Sequence, residues 1–493
     1  MKQSRTFKAA LLGSGKFLAT LTGLICAAIL ARLLTKSDYA SYRQTLLAYT
    51  FVSPLLMLGL PTGLFYFLAR DRKHGRSILS GNLLLLFLMG IVFFIAIWSG
   101  LNELLAARFN NPALKDLLLI YSPYALLALP AVSISACLVS YNRVKSLTFY
   151  NVLSKIIIFG SVVGFALIWR TPEAVITGTV AAAVLIFIPA LILMYRATPE
   201  WNWRPTWLSV KDQIIYSVPL GMAGMVGILA MNLDKVLVSS LCPPEEFAVY
   251  VNGAIELPVI AIITSSVIAI LIPEFSLMYQ QGEFSKIISL WHRAMVKCAL
   301  LIFPIMVYLL IMAPEAIRVL FSARYEASAI PFRIYLLLLP IRITHFGSIF
   351  MAAGKNSWIL FRTAVTLILN LILSIILIRQ MGYVGAAIAT VIIIYLWSIP
   401  FNLIAISKLC EVSLIRIMPY GVLLKLIVIT GIPGLLCLVV KSYLLPAGDI
   451  SRLAITGIIY AAVTLALMIR TGLINRSIFK TALARVSAWR DKQ

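Results

Sequence analysis

Charge is what this sequence has least of. Only 12% of its 493 residues are Asp, Glu, Lys or Arg, against 61% apolar residues, whereas soluble proteins carry about 25% charged residues. Too little polar surface remains to cover a water-soluble globule. Acids are scarcer still, 18 against 42 Lys and Arg. The six cysteines (Cys26, Cys137, Cys242, Cys298, Cys410 and Cys437) lie far apart, with no CxxC and no Cys/His cluster, which excludes a disulfide frame or a cysteine metal site. Also missing are a P-loop, GxSxG, HExxH and any acidic metal cluster, so neither ATP hydrolysis nor glycosyl transfer is expected. The chain is expected to be no enzyme and to hold no cofactor or metal.

What the sequence does have is apolar runs, such as "LLLLFLMGIVFFIAIW" and "LILNLILSIILI". About 20 mostly apolar residues cross a hydrocarbon core of about 30 Å, and a helix satisfies its own backbone there. The fold class is therefore an all-α, polytopic membrane protein. Fourteen spans are expected, beginning near residues 9, 45, 79, 114, 148, 173, 213, 247, 291, 328, 358, 382, 417 and 450. The cut in "WRTPE" is the thinnest. "MKQSRTFK" precedes a run that continues past Leu30, a retained first helix rather than a cleaved leader. Lys and Arg gather in the termini and even-numbered loops, most densely as Arg70, Arg72, Lys73 and Arg76; the positive-inside rule then places both termini in the cytoplasm. That rule accounts for the net charge of +24 without a nucleic-acid partner.

One motif occurs twice. "ARLLTKSDYASYRQ" follows the first run and "SSLCPPEEFAVYVN" the seventh, 208 residues later. In the first copy Thr35 caps a new helix with Asp38 in capping-box position, and Leu34 and Tyr39 stand at the staple positions. In the second, Pro244 takes the first helical position, where its missing N–H is harmless, and Glu246 replaces Asp38. The same offset pairs Leu12 with Leu220, Gly13 with Gly221, Leu21 with Leu229, Leu33 with Leu241, Ala40 with Ala248 and Tyr42 with Tyr250. Six spans per repeat keep both halves in one orientation, with a substrate site expected between them. The expected organisation is a six-helix bundle over 1–200, an interfacial linker over 201–212 bearing Trp201, Trp203 and Trp207, and a second bundle over 213–410. Helices 13 and 14 follow over 411–472, then a basic amphipathic cytoplasmic tail over 473–493.

A first helix ending in "ARLLTKSDYASY", its repeat at helix 7, fourteen spans and the basic loop after span 2 resemble the oligosaccharide (O-antigen type) flippases. These form the polysaccharide transporter family of the multidrug/oligosaccharidyl-lipid/polysaccharide exporter (MOP) superfamily. A fainter echo joins "YNRVKS" after span 4 to "AGKNS" after span 10. The resemblance implies two six-helix bundles in a V around a central cavity that opens alternately to either side. It implies a flippase carrying undecaprenyl-pyrophosphate-linked oligosaccharide from the inner to the outer leaflet of the bacterial cytoplasmic (inner) membrane. Its products would serve lipopolysaccharide O-antigen, capsule or exopolysaccharide biosynthesis. The partners are then the lipid-linked sugar, membrane lipids and, as a candidate, polysaccharide polymerase machinery.

Ionisable residues inside spans are costly and usually functional or paired. Eight basic residues fall there (Lys16, Lys155, Lys235, Lys297, Arg333, Arg342, Arg362 and Lys425), but only two acids lie well inside, Asp234 and Glu256. A drug–cation antiporter needs carboxylates, whereas a carrier of a diphosphate needs fixed positive charge. The imbalance favours the anionic substrate. Lys155, Lys297, Arg333 and Arg362 read as snorkelling from span ends, and Lys425 as lining a peripheral groove. Lys16 shares a face with Gly13, Thr20, Gly23 and Ala27, and the resemblance points a basic residue of span 1 into the cavity. The expected cationic substrate site is Lys16, Lys235, Arg342 and His345, the last two on one face of span 10. Asp234 and Lys235 point about 100° apart on span 7. Asp234 and Glu256 are candidates for proton or sodium coupling, with Pro258 loosening the helix beside Glu256. Tyr121 and Tyr124 read as an interfacial belt, and Gly221, Gly224 and Gly227 as packing or hinge positions. The alternative is a cation-coupled drug or metabolite antiporter of the same superfamily. A membrane-embedded glycan polymerase or ligase is disfavoured by the short odd-numbered loops.

Overall fold

The computed structural model describes residues 20–198, 202–444 and 448–473; Lys16 and the amphipathic tail lie outside them. No strand occurs among the described residues. Helices α1 (Thr20–Leu33), α2 (Lys36–Met57), α3 (Leu60–Arg70), α4 (Gly75–Ala96) and α5 (Asn102–Arg108) open the chain. Then come α6 (Leu114–Tyr121), α7 (Tyr124–Ala131), α8 (Ile134–Ser140), α9 (Val144–Trp169) and α10 (Pro172–Ala197). A second series holds α11 (Trp207–Leu241), α12 (Pro244–Gly253), α13 (Pro258–Gln280), α14 (Phe284–Ile311) and α15 (Ala313–Phe321). It continues with α16 (Ala329–Leu336), α17 (Leu339–Arg342), α18 (Phe346–Ala352), α19 (Asn356–Met381), α20 (Tyr383–Ile393) and α21 (Ile399–Cys410), and α22 (Tyr420–Tyr443) and α23 (Asp449–Arg470) end the described chain. Eleven helices are long and apolar enough to cross a membrane, or thirteen if each of two bent pairs is one span, and α1 is a shorter apolar helix besides.

Both elbows form as their sequences dictate. The Thr35 side chain accepts from the Asp38 backbone N–H, and its hydroxyl donates to Asp38 Oδ2 at 2.6 Å. Leu34 and Tyr39 are buried, 1% and 0% exposed, as a hydrophobic staple requires. In the second elbow Pro244 opens α12 with Glu245 and Glu246 in its first turn. The thin cut at "WRTPE" is also real: Arg170 takes a left-handed conformation, Thr171 caps α10 and Pro172 is its first residue.

The repeat extends well beyond the elbows. In each series the fourth span is bent, by 51° within Leu114–Ser140 and by 44° within Ala323–Ala352; Pro123 and Pro340, which offer no N–H, sit by the breaks. The echo between "YNRVKS" and "AGKNS" is conformational. Asn142 and Gly354 both have positive φ, 57° and 68°. Arg143 and Lys355 then cap the next helices with nearly the same angles (φ −94°, ψ 46° and φ −92°, ψ 46°), and each of those helices runs 26 residues.

Packing gathers the chain into two compact units. One holds the chain up to Ile262 with Leu320–Ser322 and Gly354–Phe401; the other holds Ile263–Val319, Ala323–Ala353 and the chain from Asn402 onward. In the first unit α11 meets the α2–α3 break at glycines. A Cβ on Gly221 would strike the Leu58 and Gly59 backbone, and Gly59 itself has φ +70°. Gly221 is thus a packing glycine, whereas a Cβ on Gly224 or Gly227 would meet nothing. Tyr121 and Tyr124 are no interfacial belt. They stack on each other at 4.7 Å with Tyr49 edge-on to both, and Tyr121 is 2% exposed. The break in span 4 turns these rings into the protein, where they pack as aromatic pairs do.

In the second unit α22 and α23 are clasped to α14 and α15. Glu315, its side chain 3% exposed, receives Lys441 at 2.9 Å, Arg318 at 3.4 Å and Arg452 at 3.9 Å. Arg318 also forks onto Asp449 with two 2.9 Å bonds and reaches Glu326 at 2.8 Å. The Asp449 hydrogen bonds raise the Arg318 pKa further above its ordinary value.

Candidate functional site

Asp234 and Lys235 sit on α11, on adjacent positions as expected, but with opposite fates. Asp234 is 5% exposed and accepts a 2.6 Å hydrogen bond from the Tyr250 hydroxyl. The tyrosine is the one that the second elbow shares with Tyr42 of the first. A hydrogen bond to a charged group contributes about 1.5–3 kcal/mol, so this carboxylate is held in place by its own fold. Lys235 is half-buried and has no hydrogen bond or ion pair among the described residues. Asn232 bonds back to Ile228 of its own helix.

Arg342 and His345 do not share a helical face. The helix ends at Arg342, and His345 takes a left-handed conformation (φ 48°) that starts α18. Arg342 is exposed, whereas His345 is 6% exposed with its Nε2 3.4 Å from Cys298 Sγ. The spacing of three residues assumed an unbroken span, and the break beyond Pro340 removes that premise. Glu256 likewise lies in a non-helical break between α12 and α13, exposed, rather than within a loosened helix. Pro258 starts the second helix instead of kinking a continuous one. Asp234, Lys235 and Glu256 belong to the first unit, and Arg342 and His345 to the second.

Two lysines read as snorkelling stand near the middle of their helices. Lys155 is the twelfth residue of the 26-residue α9, about 16 Å from its start at 1.5 Å per residue. Lys297 is the fourteenth of 28 in α14, about 20 Å in. The true helix starts, at Val144 and Phe284, precede the apolar runs from which the spans were counted, because each helix opens with a polar turn. Neither lysine has a hydrogen bond or ion pair among the described residues. A charged side chain at a helix centre facing lipid costs about 2.5–3.5 kcal/mol on insertion scales, so each needs water or an anion. On α9, Thr148 and Asn151 share the Lys155 face. Arg333, read with those two lysines as snorkelling, and Lys425, read as lining a peripheral groove, both reach backbone carbonyls at helix ends. Arg333 donates to the Leu310 carbonyl near the end of α14, and Lys425 donates to the Thr471 carbonyl beyond α23, where the helix dipole favours a cation. Arg362 is the seventh residue of α19 and half-buried.

Uncharged amides were the other omission. Gln44, Asn82 and Gln213 are each 0% exposed. Gln44 donates to Ser239 at 3.0 Å and accepts from Asn111 at 2.6 Å. Asn82 donates to Gln213 at 2.9 Å, and Tyr39 donates to Asn252 at 2.8 Å. These bonds tie α2 and α4 to α11 and α12. Isolated amides in apolar runs were the signal, since a buried amide persists only when bonded.

Near the second elbow, burial and then the Glu246 charge push the Cys242 thiol up to about 12. On the face of the basic loop, a cavity of about 390 Å³ is lined by Phe67, Arg70, Asp71, His74, Asn202 and Asp212 among others. Among the described residues, none of the expected site residues lines it. There the His74 ring, 2.8 Å from Asp71, holds that carboxyl below its ordinary pKa. Among the described residues no three of His, Cys, Asp and Glu are placed to hold a metal ion.

The sequence matches the family described as "Polysaccharide biosynthesis protein" over residues 29–330, more than half of the chain. No curated protein sequence matches it. Among solved structures, the fold is similar to a lipid II flippase MurJ in an inward closed conformation. The two are 17% identical, with 96% of this chain and 99% of that one covered and a TM-score of 0.71. It is also similar to an inward-facing multidrug resistance MATE family transporter of the MOP superfamily (16% identity, 80% and 96% covered, TM-score 0.62). A third is a MOP superfamily transporter from Pyrococcus furiosus described as having a binding pocket of reverse polarity (15% identity, 82% and 96% covered, TM-score 0.56). At such identities these likenesses concern the fold. The chain belongs to the polysaccharide biosynthesis protein family and carries the multi-helix membrane fold of MOP superfamily transporters.

Proposed function

We propose that this protein is a flippase that moves undecaprenyl-pyrophosphate-linked oligosaccharide from the inner to the outer leaflet of a bacterial cytoplasmic membrane. The observation that carries the reading is the imbalance of unpaired charge inside the spans. Lys155, Lys235 and Lys297 have no counter-ion among the described residues, whereas the acid beside Lys235 is bound by Tyr250. A diphosphate offers those lysines charge-assisted hydrogen bonds. In this reading the lysines hold the diphosphate, the glycan occupies water and the prenyl tail stays in lipid. Lys16 and Arg342 join the cationic set, His345 supports the second bend from inside, and both termini face the cytoplasm. Rocking of the two six-helix series about the substrate alternates access. The family membership supports a role in polysaccharide export, and the flippase fold neighbour supports a lipid-linked cargo.

The test is a deletion strain. It should accumulate undecaprenyl-pyrophosphate oligosaccharide on the cytoplasmic leaflet and lose surface polysaccharide, with both defects repaired by the wild-type gene. Replacing Lys155 and Lys297 together by Gln should fail to repair either, at normal protein levels in the membrane. Normal surface polysaccharide in the deletion strain would overturn the proposal.

A further inference from the structure

One face of α14 changes character halfway along. Its packed side is Ile287, Ile288, Trp291, Met295, Cys298, Ala299, Ile302, Phe303 and Met306. At 100° per residue, Lys286, Arg293 and Lys297 lie within about 40° of one another on the opposite side. All three are exposed. Lys286 pairs with Glu283 at the helix start; Arg293 and Lys297 have no hydrogen bond or ion pair among the described residues. Beyond Lys297 the same side becomes apolar and is covered. Val307, Tyr308 and Ile311 pack into the cluster of Met312, Cys437 and Tyr460, formed with α22 and α23. The uncovered half is thus the basic half. The strip from Lys286 to Lys297 is about 16 Å long at 1.5 Å per residue, reaching from the helix start to its middle.

Lipid would be a poor neighbour for such a strip. Lys286 stands at the helix start, but Lys297 sits mid-helix, and Arg293 stands one turn before it on the same line. Two uncompensated cations on one uncovered line call for a mobile anion or water. Guanidinium and ammonium groups one turn apart suit a phosphate group with several oxygens, the guanidinium bonding two of them at once. We propose that Lys286, Arg293 and Lys297 form a phosphate-guiding strip on α14, which leads the phosphorylated headgroup of a lipid from the membrane surface to the middle of the span. The proposal rests on the flippase reading for its cargo, a prenyl diphosphate, but the strip is defined by its own geometry within the second unit.

Cysteine variants Arg293→Cys and Lys297→Cys, made in a chain whose partly exposed Cys26 is serine and compared with that parent, whose five other cysteines are buried, test it in inside-out membrane vesicles. The control is Ile270→Cys, an apolar position 67% exposed on α13. A small, charged, membrane-impermeant methanethiosulfonate should label positions 293 and 297 but not 270. Added undecaprenyl diphosphate should slow labelling at both, about tenfold at ten times its dissociation constant. Protection by undecaprenyl diphosphate and not by phosphatidylglycerol supports the strip as part of the cargo route. Equal protection by both lipids supports a phosphate-lipid strip while detaching it from transport, leaving the flippase reading to its own test. No labelling at 293 and 297 means that they face lipid, and labelling that neither lipid slows means that no phosphate binds. Either result overturns the proposal.

Discussion

Removing Lys441 should loosen the end of the chain. Its ammonium lies 2.9 Å from Glu315 Oε2, and the Glu315 side chain is only 3% exposed. Taking one partner from a buried ion pair costs about 3–5 kcal/mol, because the remaining charge is left without compensation. Two features reduce the figure. Lys441 is itself 22% exposed, and Arg318 remains 3.4 Å from the same carboxylate. We therefore expect about 2–3 kcal/mol for Lys441→Ala, reduced below that range by the exposure and the remaining partner. At about 2–4 °C per kcal/mol for a unit of 150–250 residues, the melting midpoint of the purified protein should fall by roughly 4–12 °C. A double-mutant cycle gives the sharper reading. Lys441→Met combined with Glu315→Gln removes both charges and should recover most of the loss, since apolar or neutral replacement of a buried pair is often neutral. The coupling should exceed about 1 kcal/mol, as expected for residues in direct contact. Tryptophan fluorescence in detergent follows the transition. A midpoint unchanged in Lys441→Ala, or losses that simply add in the double variant, would refute the argument by showing that Glu315 is solvated and the clasp idle.

Gly221→Ala should sharply reduce folded protein on size-exclusion chromatography, because its Cβ would meet the backbone of Leu58 and Gly59, whereas Gly224→Ala points into open space and should fold at least as well. Tyr39→Phe should cost about 1 kcal/mol of thermal stability, the net worth of one hydrogen bond, by taking the donor from Asn252. Cys242, with its thiol pushed up to about 12, should be thiolate in only about one molecule in ten thousand at pH 8 and label slowly with maleimide. Glu246→Gln removes the second contributor but leaves burial, so mass spectrometry should show labelling rise only modestly, and the rate should still climb with pH well above 9.

The helical layout was legible because apolar runs, caps and prolines are local. Thr35 with Asp38, and Thr171 with Pro172, each stop and start a helix using only neighbouring residues. Helix starts were less legible. Val144 and Phe284 begin helices in polar turns that no apolar run marks, and so Lys155 and Lys297 looked peripheral. The candidate site suffered where it assumed continuity: Arg342 was matched with His345 by helical spacing, and Glu256 was set in one helix with Pro258, across breaks that only the folded chain reveals. Tyr121 and Tyr124 misled for the same reason, since a bend in span 4 turned interface-like residues inward. The amides Gln44, Asn82 and Gln213 were visible in the sequence, but these partners are 67 to 195 residues away, a distance that composition and periodicity do not bridge.

Flux measured in proteoliposomes is the most direct test of the central claim that unpaired cations inside the spans carry a diphosphate. Purified protein would be reconstituted with fluorescent undecaprenyl-pyrophosphate oligosaccharide, and its transfer between leaflets followed by quenching. Losing one charge-assisted hydrogen bond, about 1.5–3 kcal/mol, should slow Lys155→Gln by roughly 10–100-fold at subsaturating substrate. Asp234→Asn, which keeps an acceptor for the Tyr250 hydroxyl, should leave the rate within a few-fold. Wild-type flux in Lys155→Gln together with abolished flux in Asp234→Asn would contradict the account and point to a cation-coupled carrier.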